Sequence, residues 1–570
     1  MNRGVTDMKN IKLISISLIT FIISLFVVTL PAFAASGAAL EGGFKTAPAL
    51  ILIATILLFI IVGLMNKAEG AADYYAAGRS ISRVGSGMAI ASNWMSAASF
   101  LGLAAVTYGL GYHGIAYVVG WTGGYVLLLL LMASQIRRFG KYTATDFIGD
   151  RYYSPGLRFW TAVIAILISF SYTVGQFGGI GLMFKWIFGM NYHYSVIIGS
   201  SVVLAYTLIS GMLGVTKNQQ IQYIILITAF MIPSFILTFK FDYFWVLPPL
   251  GYGQVVSDIV AGTQTGFVSS LGHAMSTIPS PEYAMPWDPS IGMNFFQWMA
   301  TCFALMIGTA GLPHVIQKFY VVPKPSDARW SVTWGLFFIC ILYWTSPLYS
   351  AFGKILSSNP EVGKLAKDAI VVYTAQLGSV HPLIVGFLAA GAISAAFSTV
   401  SGLLVAGASA WSNDIYFKVI NPDATGEQQV RMAKIATVAM AVGVTIVALL
   451  KLGLIAQLVA LAFSIAGSTI FPLFLLGIWW SRSNKAGGIA SLSVGGGISV
   501  LVIIYFIAGK YGLQLPAKDF MNYWLNPWYF AWIAGPLAVL ANIVFSFLGE
   551  ETPLEIKKHL ARKVHGVESE

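Results

Sequence analysis

Charged residues are scarce in this chain of 570 residues. Asp, Glu, Lys and Arg together make up 10% of it, whereas soluble globular proteins carry about 25%. Hydrophobic residues make up 57%, and no polar stretch is long enough to fold as a separate domain. The composition therefore excludes a soluble globular protein and indicates a single domain that lies in a lipid bilayer.

Cysteines and hydrolase or nucleotide motifs are also scarce. The two cysteines, Cys302 and Cys340, both fall in apolar segments, so neither a disulfide framework nor a thiolate metal site is indicated. The sequence has no P-loop, H-E-x-x-H or G-x-S-x-G motif. Gly109–Gly114 matches G-x-G-x-x-G, but no strand precedes it, which excludes a dinucleotide site.

The net charge of +11 does not indicate a nucleic-acid partner. The Lys and Arg residues lie in short connections between apolar segments, as the positive-inside rule requires of a membrane protein. The loop from Arg137 to Arg158 is especially basic, so we place it in the cytoplasm. Alternation of the spans then places the mature N-terminus outside and the tail in the cytoplasm of a bacterial-type cell, with the chain crossing the plasma membrane many times.

Apolar runs of about 20 residues recur along the chain, and each is long enough to cross a bilayer as a helix. They predict an all-α polytopic membrane protein with about thirteen transmembrane helices. The predicted spans are 47–66, 86–110, 114–135, 158–187, 193–214, 218–239, 291–314, 329–353, 381–412, 431–450, 454–479, 486–509 and 527–549.

The N-terminus has the pattern of a targeting segment. Lys9 and Lys12 precede an apolar run from Leu13 to Leu30, and Pro31–Ala35 contains an A-x-A cleavage site. We predict a cleaved signal peptide over residues 1–35. An uncleaved additional span is the alternative.

The segment Ala91–Gly102 is unusually polar for a membrane span. Ser92, Asn93, Ser96 and Ser99 would be left unpaired against lipid, where each such group is costly. They fit a helix that is locally opened, so that its freed carbonyls face an ion or a solute. The alternative is close helix packing through small residues.

A second interruption lies at Ile307–Pro313, where Gly308, Gly311 and Pro313 make an unbroken helix unfavourable. The interval between the two interruptions covers an odd number of predicted spans. The second unit therefore starts on the opposite side of the membrane, which gives an inverted repeat. Broken helices at corresponding positions of such a repeat are typical of a transporter's binding site.

The chain resembles the sodium/solute symporter family, and within it the acetate permease branch. The resemblance covers about Ala71 to Phe547. It implies a leucine-transporter-like core of five plus five helices and a transporter rather than an enzyme. Its most specific residues are Asp73–Gly78, Met95–Gly102, Gly308–His314, and Ala406–Ser409 running into Asn413–Tyr416.

With this core, the chain divides into seven parts. They are the signal peptide (1–35), an N-terminal helix and loop (36–85), the first five-helix repeat (86–239), an extracytoplasmic loop (240–290), the second, inverted repeat (291–480), two peripheral helices (481–549) and a basic tail (550–570). The loop 240–290 acts as either a gate or a spacer. The sequence does not specify the oligomeric state.

The resemblance also implies a site for a coupling sodium ion between the first and eighth core helices. Its ligands would be the hydroxyls of Ser398 and Thr399 and the carbonyls of Ala395, Ser92 and Met95, where the alignment leaves the positions of the last two open by one residue. Hydroxyls and unwound carbonyls supply neutral oxygens to the ion without burying a net charge. The alternative is that both hydroxyls only bond back to the preceding turn of their own helix.

No Asp or Glu lies in the middle of a predicted core span, which favours sodium over proton coupling. His113 and His314 lie at span ends and are weaker candidates for a proton relay. No Lys or Arg lies at a span centre either, so we expect an anionic substrate to be held by backbone amides at half-helix N-termini. The candidate substrate residues are Ser96, Ala97, Ser99, Gln176, Thr309 and Gly311.

The predicted function is sodium-coupled uptake of a small monocarboxylate such as acetate. The alternatives are sodium symport of another small solute (an amino acid, a sugar or urea) and proton-coupled carboxylate symport. A channel is disfavoured because the chain lacks a charged ring or a repeated filter loop. A sensor is disfavoured because the tail after Phe547 is too short for a signalling domain.

Overall fold

The computed structural model describes residues 44–566, except 69, 263, 269–273, 277–279, 284–292, 357–366, 511 and 514. The predicted signal peptide lies outside the described residues. Within them the chain is helical almost throughout. The first helices are Thr46–Met65 (α1), Ala71–Ala76 (α2), Arg83–Trp94 (α3), Leu103–Leu110 (α4), Ile115–Leu131 (α5), Ala133–Phe139 (α6), Ala144–Arg151 (α7), Pro155–Phe188 (α8) and Tyr192–Lys240 (α9).

The remaining helices follow a connection that carries a small hairpin. They are Tyr252–Ala261 (α10), Phe295–Gly311 (α11), Pro313–Ile316 (α12), Pro325–Leu356 (α13), Ile370–Leu377 (α14), Pro382–Ser409 (α15), Gly426–Ala448 (α16), Ile455–Trp479 (α17), Lys485–Lys510 (α18), Lys518–Trp524 (α19), Ala531–Leu548 (α20) and Leu554–His559 (α21). The hairpin pairs Gln264–Val268 (β1) antiparallel with Ala274–Ser276 (β2).

Two kinds of shorter helical segment join these elements. The π-helical segments are Ala98–Gly102, Ala410–Ile420 and Leu560–His565. The 3₁₀ segments are Ala77–Arg79, Gly111–Gly114, Pro248–Gly251, Pro281–Tyr283, Gln317–Val321 and Lys367–Ala369.

Residue types at the helix starts explain several boundaries. The Ser154 hydroxyl accepts from the Leu157 amide, and Pro155 then supplies the fixed φ of a first helical residue. Pro382 begins α15 in the same way. Thr143 caps α7 through the Asp146 amide. These polar caps satisfy amides that the first helical turn leaves unpaired.

Among the described residues, ten helices are long and apolar enough to cross a membrane, or eleven if the bent pair α11 and α12–Val321 counts as one span. Each of the thirteen predicted spans overlaps a helix, but the number of membrane crossings stays a prediction. The break between the predicted spans 193–214 and 218–239 lies at Gly211 rather than at 215–217, because α9 is kinked at Gly211, where φ is +57°. Only glycine adopts that conformation readily.

Helix α15 lies at the centre of the bundle. In its apolar window, 89% of the residues are buried, against 28% for α16 and 22% for α18. Its sequence is dominated by Ala, Gly and Ser, which allow neighbouring helices to approach closely. It packs against α1, α3, α8 and α9, so residues of α15 face both the first broken span and α9.

One end of the bundle carries both the basic loop and the C-terminal tail. Arg138 donates to the carbonyl of His565 at 2.7 Å, and the His565 ring nitrogen Nε2 lies 2.9 Å from the Ile478 carbonyl. The loop and the tail were both predicted to be cytoplasmic, and they share this end of the molecule. We call it the basic end. Which side of the membrane it faces stays a prediction.

Candidate functional site

The first broken span opens at Met95. Helix α3 ends at Trp94, and Met95 leaves the helical conformation with ψ of 68°. The Ser96 amide donates to the Trp94 carbonyl at 2.7 Å, and the Ala97 amide donates to Gln176 Oε1 at 2.8 Å. In a continuous helix these two amides would bond to the carbonyls of residues 92 and 93. The opening therefore releases both carbonyls from the helical ladder.

Two hydroxyls of α15 meet the released carbonyls. Ser398 Oγ lies 2.6 Å from the Ser92 carbonyl oxygen, and Thr399 Oγ1 lies 2.9 Å from that of Asn93. Both hydroxyls also reach the Ala395 carbonyl, at 2.8 and 3.2 Å. All five residues are buried. We call these five oxygens the oxygen cluster.

The oxygen cluster has the donor chemistry that a sodium ion requires. It consists of three carbonyl and two hydroxyl oxygens, all uncharged, and hydroxyl lone pairs can turn towards a cation once their hydrogens rotate away. The structure thus brings Ser92, Ala395, Ser398 and Thr399 together, and it also includes both back-bonds of the alternative interpretation.

The hydrogen bonds of Ser398 and Thr399 go to carbonyls other than that of the predicted ligand Met95. Thr399 meets the carbonyl of Asn93, two residues earlier in the chain. The amide that would bond to the Met95 carbonyl in a continuous helix belongs to Ser99, and it donates to Ser96 at 3.0 Å instead. The Met95 carbonyl has therefore also left the ladder, and its role as a ligand stays a prediction.

A series of hydrogen-bonded side chains next to the oxygen cluster was not predicted from the sequence. Gln219 on α9 donates through Nε2 to the Ser398 carbonyl at 2.7 Å and to Asn93 Oδ1 at 3.0 Å. Its Oε1 accepts from the Lys318 ammonium, which also donates to Thr216 Oγ1 at 3.1 Å. An amide thus connects a lysine to two residues of the cluster.

Lys318 corrects the sequence interpretation, which placed it in a loop outside the membrane. Its exposed fraction is 1%. Pro313 restarts the helix after the bend at Leu312, and the chain continues inward through α12 and the 3₁₀ turn Gln317–Val321. The apolar residues Val315, Ile316 and Phe319 carry this segment into the core. These apolar residues on both sides of Lys318 were the feature of the sequence that could have predicted its burial.

Four of the predicted substrate residues lie around the same opening. The Ala97 amide bonds to Gln176 on α8, as described above. Ser96 Oγ accepts from the Tyr172 hydroxyl at 3.3 Å, and Ser99 Oγ lies 2.9 Å from the Tyr343 hydroxyl. The structure therefore brings Ser96, Ala97, Ser99 and Gln176 into one region. It adds two tyrosines that the sequence did not single out.

The other two predicted substrate residues pack on neighbouring helices. Thr309 Oγ1 donates to the Leu305 carbonyl of its own helix at 2.7 Å. A Cβ at Gly124 on α5 would lie 2.2 Å from Thr309 Cβ, and a Cβ at Gly311 would lie 2.5 Å from the Ala466 carbonyl oxygen on α17. These glycines allow close contact between helices. A substrate role for Thr309 and Gly311 stays a prediction.

Aromatic rings enclose the opening. The ring of Trp94 lies 4.8 Å from that of Tyr125 and 5.4 Å from that of Phe463. The ring of Tyr172 lies 5.7 Å from Phe463 and 5.4 Å from His314. Such packing excludes water from the site, because the rings fill the space around its polar groups.

Two buried donors beside the opening have no protein partner. Within the described residues, neither ring nitrogen of His314 has a hydrogen-bond partner, and the same holds for Gln176 Nε2. His314 was predicted at a span end, yet it is buried in the bend between α11 and α12. Unpartnered buried polar groups in a native fold require an explanation, and a bound solute is one.

A polar network closes the basic end. Asp414, in the π-helical segment after α15, accepts hydrogen bonds from the hydroxyls of Thr143 and Thr145 on the α7 side. Asn413 donates to Asp146 Oδ2 at 3.0 Å, and Arg158 on α8 pairs with Asp146 Oδ1 at 3.2 Å. The network joins three separate parts of the chain.

Tyr75 on α2 joins the same end through a 2.8 Å hydrogen bond with Ser412. Burial raises the pKa of the Tyr75 phenol well above its usual value. Its hydroxyl is therefore neutral at physiological pH and can act as either donor or acceptor to the serine.

Two broken spans around a buried cluster of neutral oxygens define a secondary transporter with discontinuous helices. A family model described as the sodium:solute symporter family matches residues 74–495. The chain belongs to this family. It is therefore a multi-pass membrane symporter and not an enzyme, and the family supports sodium-coupled symport as its class of transport.

One curated relative and one solved structure extend this result. An uncharacterized symporter of Cupriavidus necator is 29% identical over 579 residues, with coverage of 80% of this chain and 84% of the relative. A Na⁺-coupled sialic acid symporter, solved in a substrate-bound outward-open state, is 17% identical. That structure matches with a TM-score of 0.69 over 90% of this chain and 99% of its own.

These comparisons confirm the predicted family and the leucine-transporter-like fold. The acetate permease branch stays a prediction, because the curated relative is uncharacterized. The residues assigned to sodium and to the substrate also stay predictions, and they enter the proposal below.

Proposed function

We propose that the protein takes up a small monocarboxylate, acetate or a close analogue, together with sodium. The observation that carries the proposal is the pair of unpartnered buried donors, Gln176 Nε2 and His314, beside the opened span. A carboxylate accepts hydrogen bonds only, so it matches a site that offers donors. The Ser96 hydroxyl, which accepts from Tyr172, keeps its own hydrogen and can donate as well.

The size of the site supports a small substrate. Ala97 and Ala98 are fully buried at the opening. A Cβ at Gly179 on α8 would lie only 2.7 Å from Ala97 Cβ, so the two helices are already in close contact there. Aromatic rings bound the remaining sides. An acid of few carbons fits these limits better than a sugar does.

For sodium, we propose the oxygen cluster of Ser92, Asn93, Ala395, Ser398 and Thr399 as the binding site. It replaces the predicted Met95 carbonyl with that of Asn93, because Asn93 is the residue that Thr399 contacts. Met95 remains a candidate for an additional ligand. The site lies between the two halves of the fold, so an ion bound there stabilises one arrangement of α3 against α15.

Proton-coupled carboxylate symport is a second candidate, favoured by one observation. His314 is a buried imidazole without a described partner, at the bend of the second broken span. Intramembrane histidines serve as proton carriers in other transporters. The two couplings give different responses to imposed gradients, so a single assay separates them.

Uptake of labelled acetate into proteoliposomes tests both parts of the proposal. We expect an inward sodium gradient to drive accumulation, and an equal proton gradient without sodium to drive little. Propionate and lactate should compete with acetate, because they present the same carboxylate. Glucose and urea should not. Equal competition by the neutral solutes would contradict the anion assignment, and proton-driven accumulation without sodium would favour the second candidate.

Removing one hydroxyl from the oxygen cluster should weaken sodium binding. Ser398→Ala and Thr399→Ala each delete one coordinating oxygen, and the loss of a bond to a charged group corresponds to about tenfold in affinity. We expect the sodium concentration for half-maximal uptake to rise by about that factor. Thr469→Ala on α17 is the matched control, because among the described residues that hydroxyl bonds to its own helix at Ile465 and to no other segment. Wild-type sodium dependence in both cluster variants would show that the site is elsewhere.

A further inference from the structure

Lys318 is a buried lysine with uncharged neighbours. Its ammonium contacts Gln219 Oε1, Thr216 Oγ1 and, at 3.7 Å, the sulfur of Met212. In the described part of the chain, all ion pairs involve other residues. A buried charge is expensive unless it is paired or serves a function. Lys318 belongs neither to the proposed sodium site nor to the candidate substrate residues.

The amide of Gln219 links this lysine to the oxygen cluster. One end of the amide accepts from Lys318, and the other end donates to the Ser398 carbonyl and to Asn93 Oδ1. The ammonium is therefore one side chain away from residues that supply two of the five cluster oxygens. Two hydrogen bonds and one amide place the Lys318 nitrogen roughly 8 Å along this path from the Ser398 carbonyl, and an ion in the cluster lies on the order of 10 Å from Lys318.

Two positive charges at this separation repel each other measurably. With the effective dielectric constant that describes protein interiors, the repulsion corresponds to about tenfold or more in a binding constant. The Lys318 ammonium also weakens sodium binding in a second way. Because it binds Gln219 Oε1, the amide directs its N–H groups to the Ser398 carbonyl and to Asn93 Oδ1 beside the cluster, and its oxygen faces away from any cation bound there.

We propose that Lys318, in its protonated form, weakens sodium binding at the oxygen cluster and so promotes release of the transported ion. It acts through Gln219 as a positioning residue and through its own charge. The proposal rests on the sodium site proposed above. A carrier must bind its ion tightly enough to load it and weakly enough to let it leave. A positive charge near the site lowers the affinity for sodium without contacting the substrate.

The test is a gain of sodium affinity, which damage to the fold does not produce. Lys318→Met removes the charge and frees the Gln219 amide to turn its oxygen towards the cluster. We expect the sodium concentration for half-maximal uptake to fall about tenfold, and the maximal uptake rate to fall because release is slower. Lys318→Gln is neutral and keeps a hydrogen-bonding head, so it should show the same shift if the methionine variant is unstable.

Two further variants complete the experiment. Lys318→Arg keeps the charge and should return the sodium half-saturation to within about twofold of the wild-type value. Lys418→Met removes an exposed lysine from the segment after α15 and is the matched control for loss of one positive charge. An unchanged or raised sodium half-saturation in both neutral Lys318 variants would overturn the proposal.

The outcome also separates this proposal from the one on which it rests. If Ser398→Ala and Thr399→Ala leave sodium dependence unchanged, the oxygen cluster is not the sodium site. If those two variants weaken sodium binding while neutral Lys318 variants fail to strengthen it, the sodium site stands and the role of Lys318 does not.

Discussion

Sodium-dependent uptake should be lost when Gly402 is replaced by valine. A Cβ at this position of α15 would lie 2.1 Å from Asn93 Oδ1 and 2.9 Å from Asn93 Cγ. Asn93 has little room to move, because it is buried and held by Gln219 at 3.0 Å. A larger side chain therefore pushes the end of α3 away from Ser398 and Thr399, and the oxygen cluster is pulled apart.

The measurement compares initial uptake rates over a range of sodium concentrations. Gly402→Ala, with a single added carbon, should raise the sodium half-saturation by at least about tenfold, and Gly402→Val should give no saturable sodium dependence. Gly497→Val on α18 is the control, since no atom lies within 4 Å of a Cβ built there. Wild-type sodium dependence in Gly402→Val would show that contact between α15 and Asn93 is not needed for the site.

Transport should also be abolished by Ala97→Asp. Ala97 is fully buried, and its amide is held by Gln176 Oε1 at 2.8 Å. A carboxylate there has no described cation beside it, and an unpaired charge inside a membrane protein costs about 3 kcal/mol by insertion scales. It would also repel an anionic substrate from the donors of the site. We expect uptake below about 1% of wild type, the equivalent of that energy.

The control is Ala561→Asp, which places the same charge in the partly exposed C-terminal segment. Both variants are to be quantified in the membrane before uptake is measured, so that loss of protein is not read as loss of function. Undiminished uptake in a well-inserted Ala97→Asp variant would place the opened span away from the substrate path.

The interruptions of both spans were predictable from local sequence alone. Serine and asparagine inside an apolar run, and glycines followed by Pro313, disfavour an unbroken helix whatever surrounds them. The structure opens the chain at Met95 and bends it at Leu312. The pairing of Ser398 with the first opening came from a family resemblance, because local sequence does not show which distant residue fills the gap.

Other features of the site depend on contacts between distant parts of the chain. Gln219 and Asn93 are 126 residues apart, and Ser99 and Tyr343 are 244 residues apart. Hydropathy patterns describe each segment by itself and do not report such contacts. Lys318 was misplaced for the same reason. From the sequence, a lysine that follows an apolar segment indicates the start of a loop. Only the fold shows that neutral side chains accept hydrogen bonds from this lysine inside the bundle.

The network around Asp414 has a consequence for hydration. The basic end is closed there by hydrogen bonds to Thr143 and Thr145 and by the pair of Arg158 with Asp146. Water can replace most of these bonds at small net cost, whereas exposing an equal area of apolar contact is unfavourable in proportion to that area. This end can therefore separate and fill with water while the aromatic rings around Trp94 stay dry. Within the part of the chain that the structure describes, the contacts at the basic end are thus polar and those around Trp94 are apolar, so we expect water to reach the proposed sodium site from the basic end while the proposed substrate region stays dry.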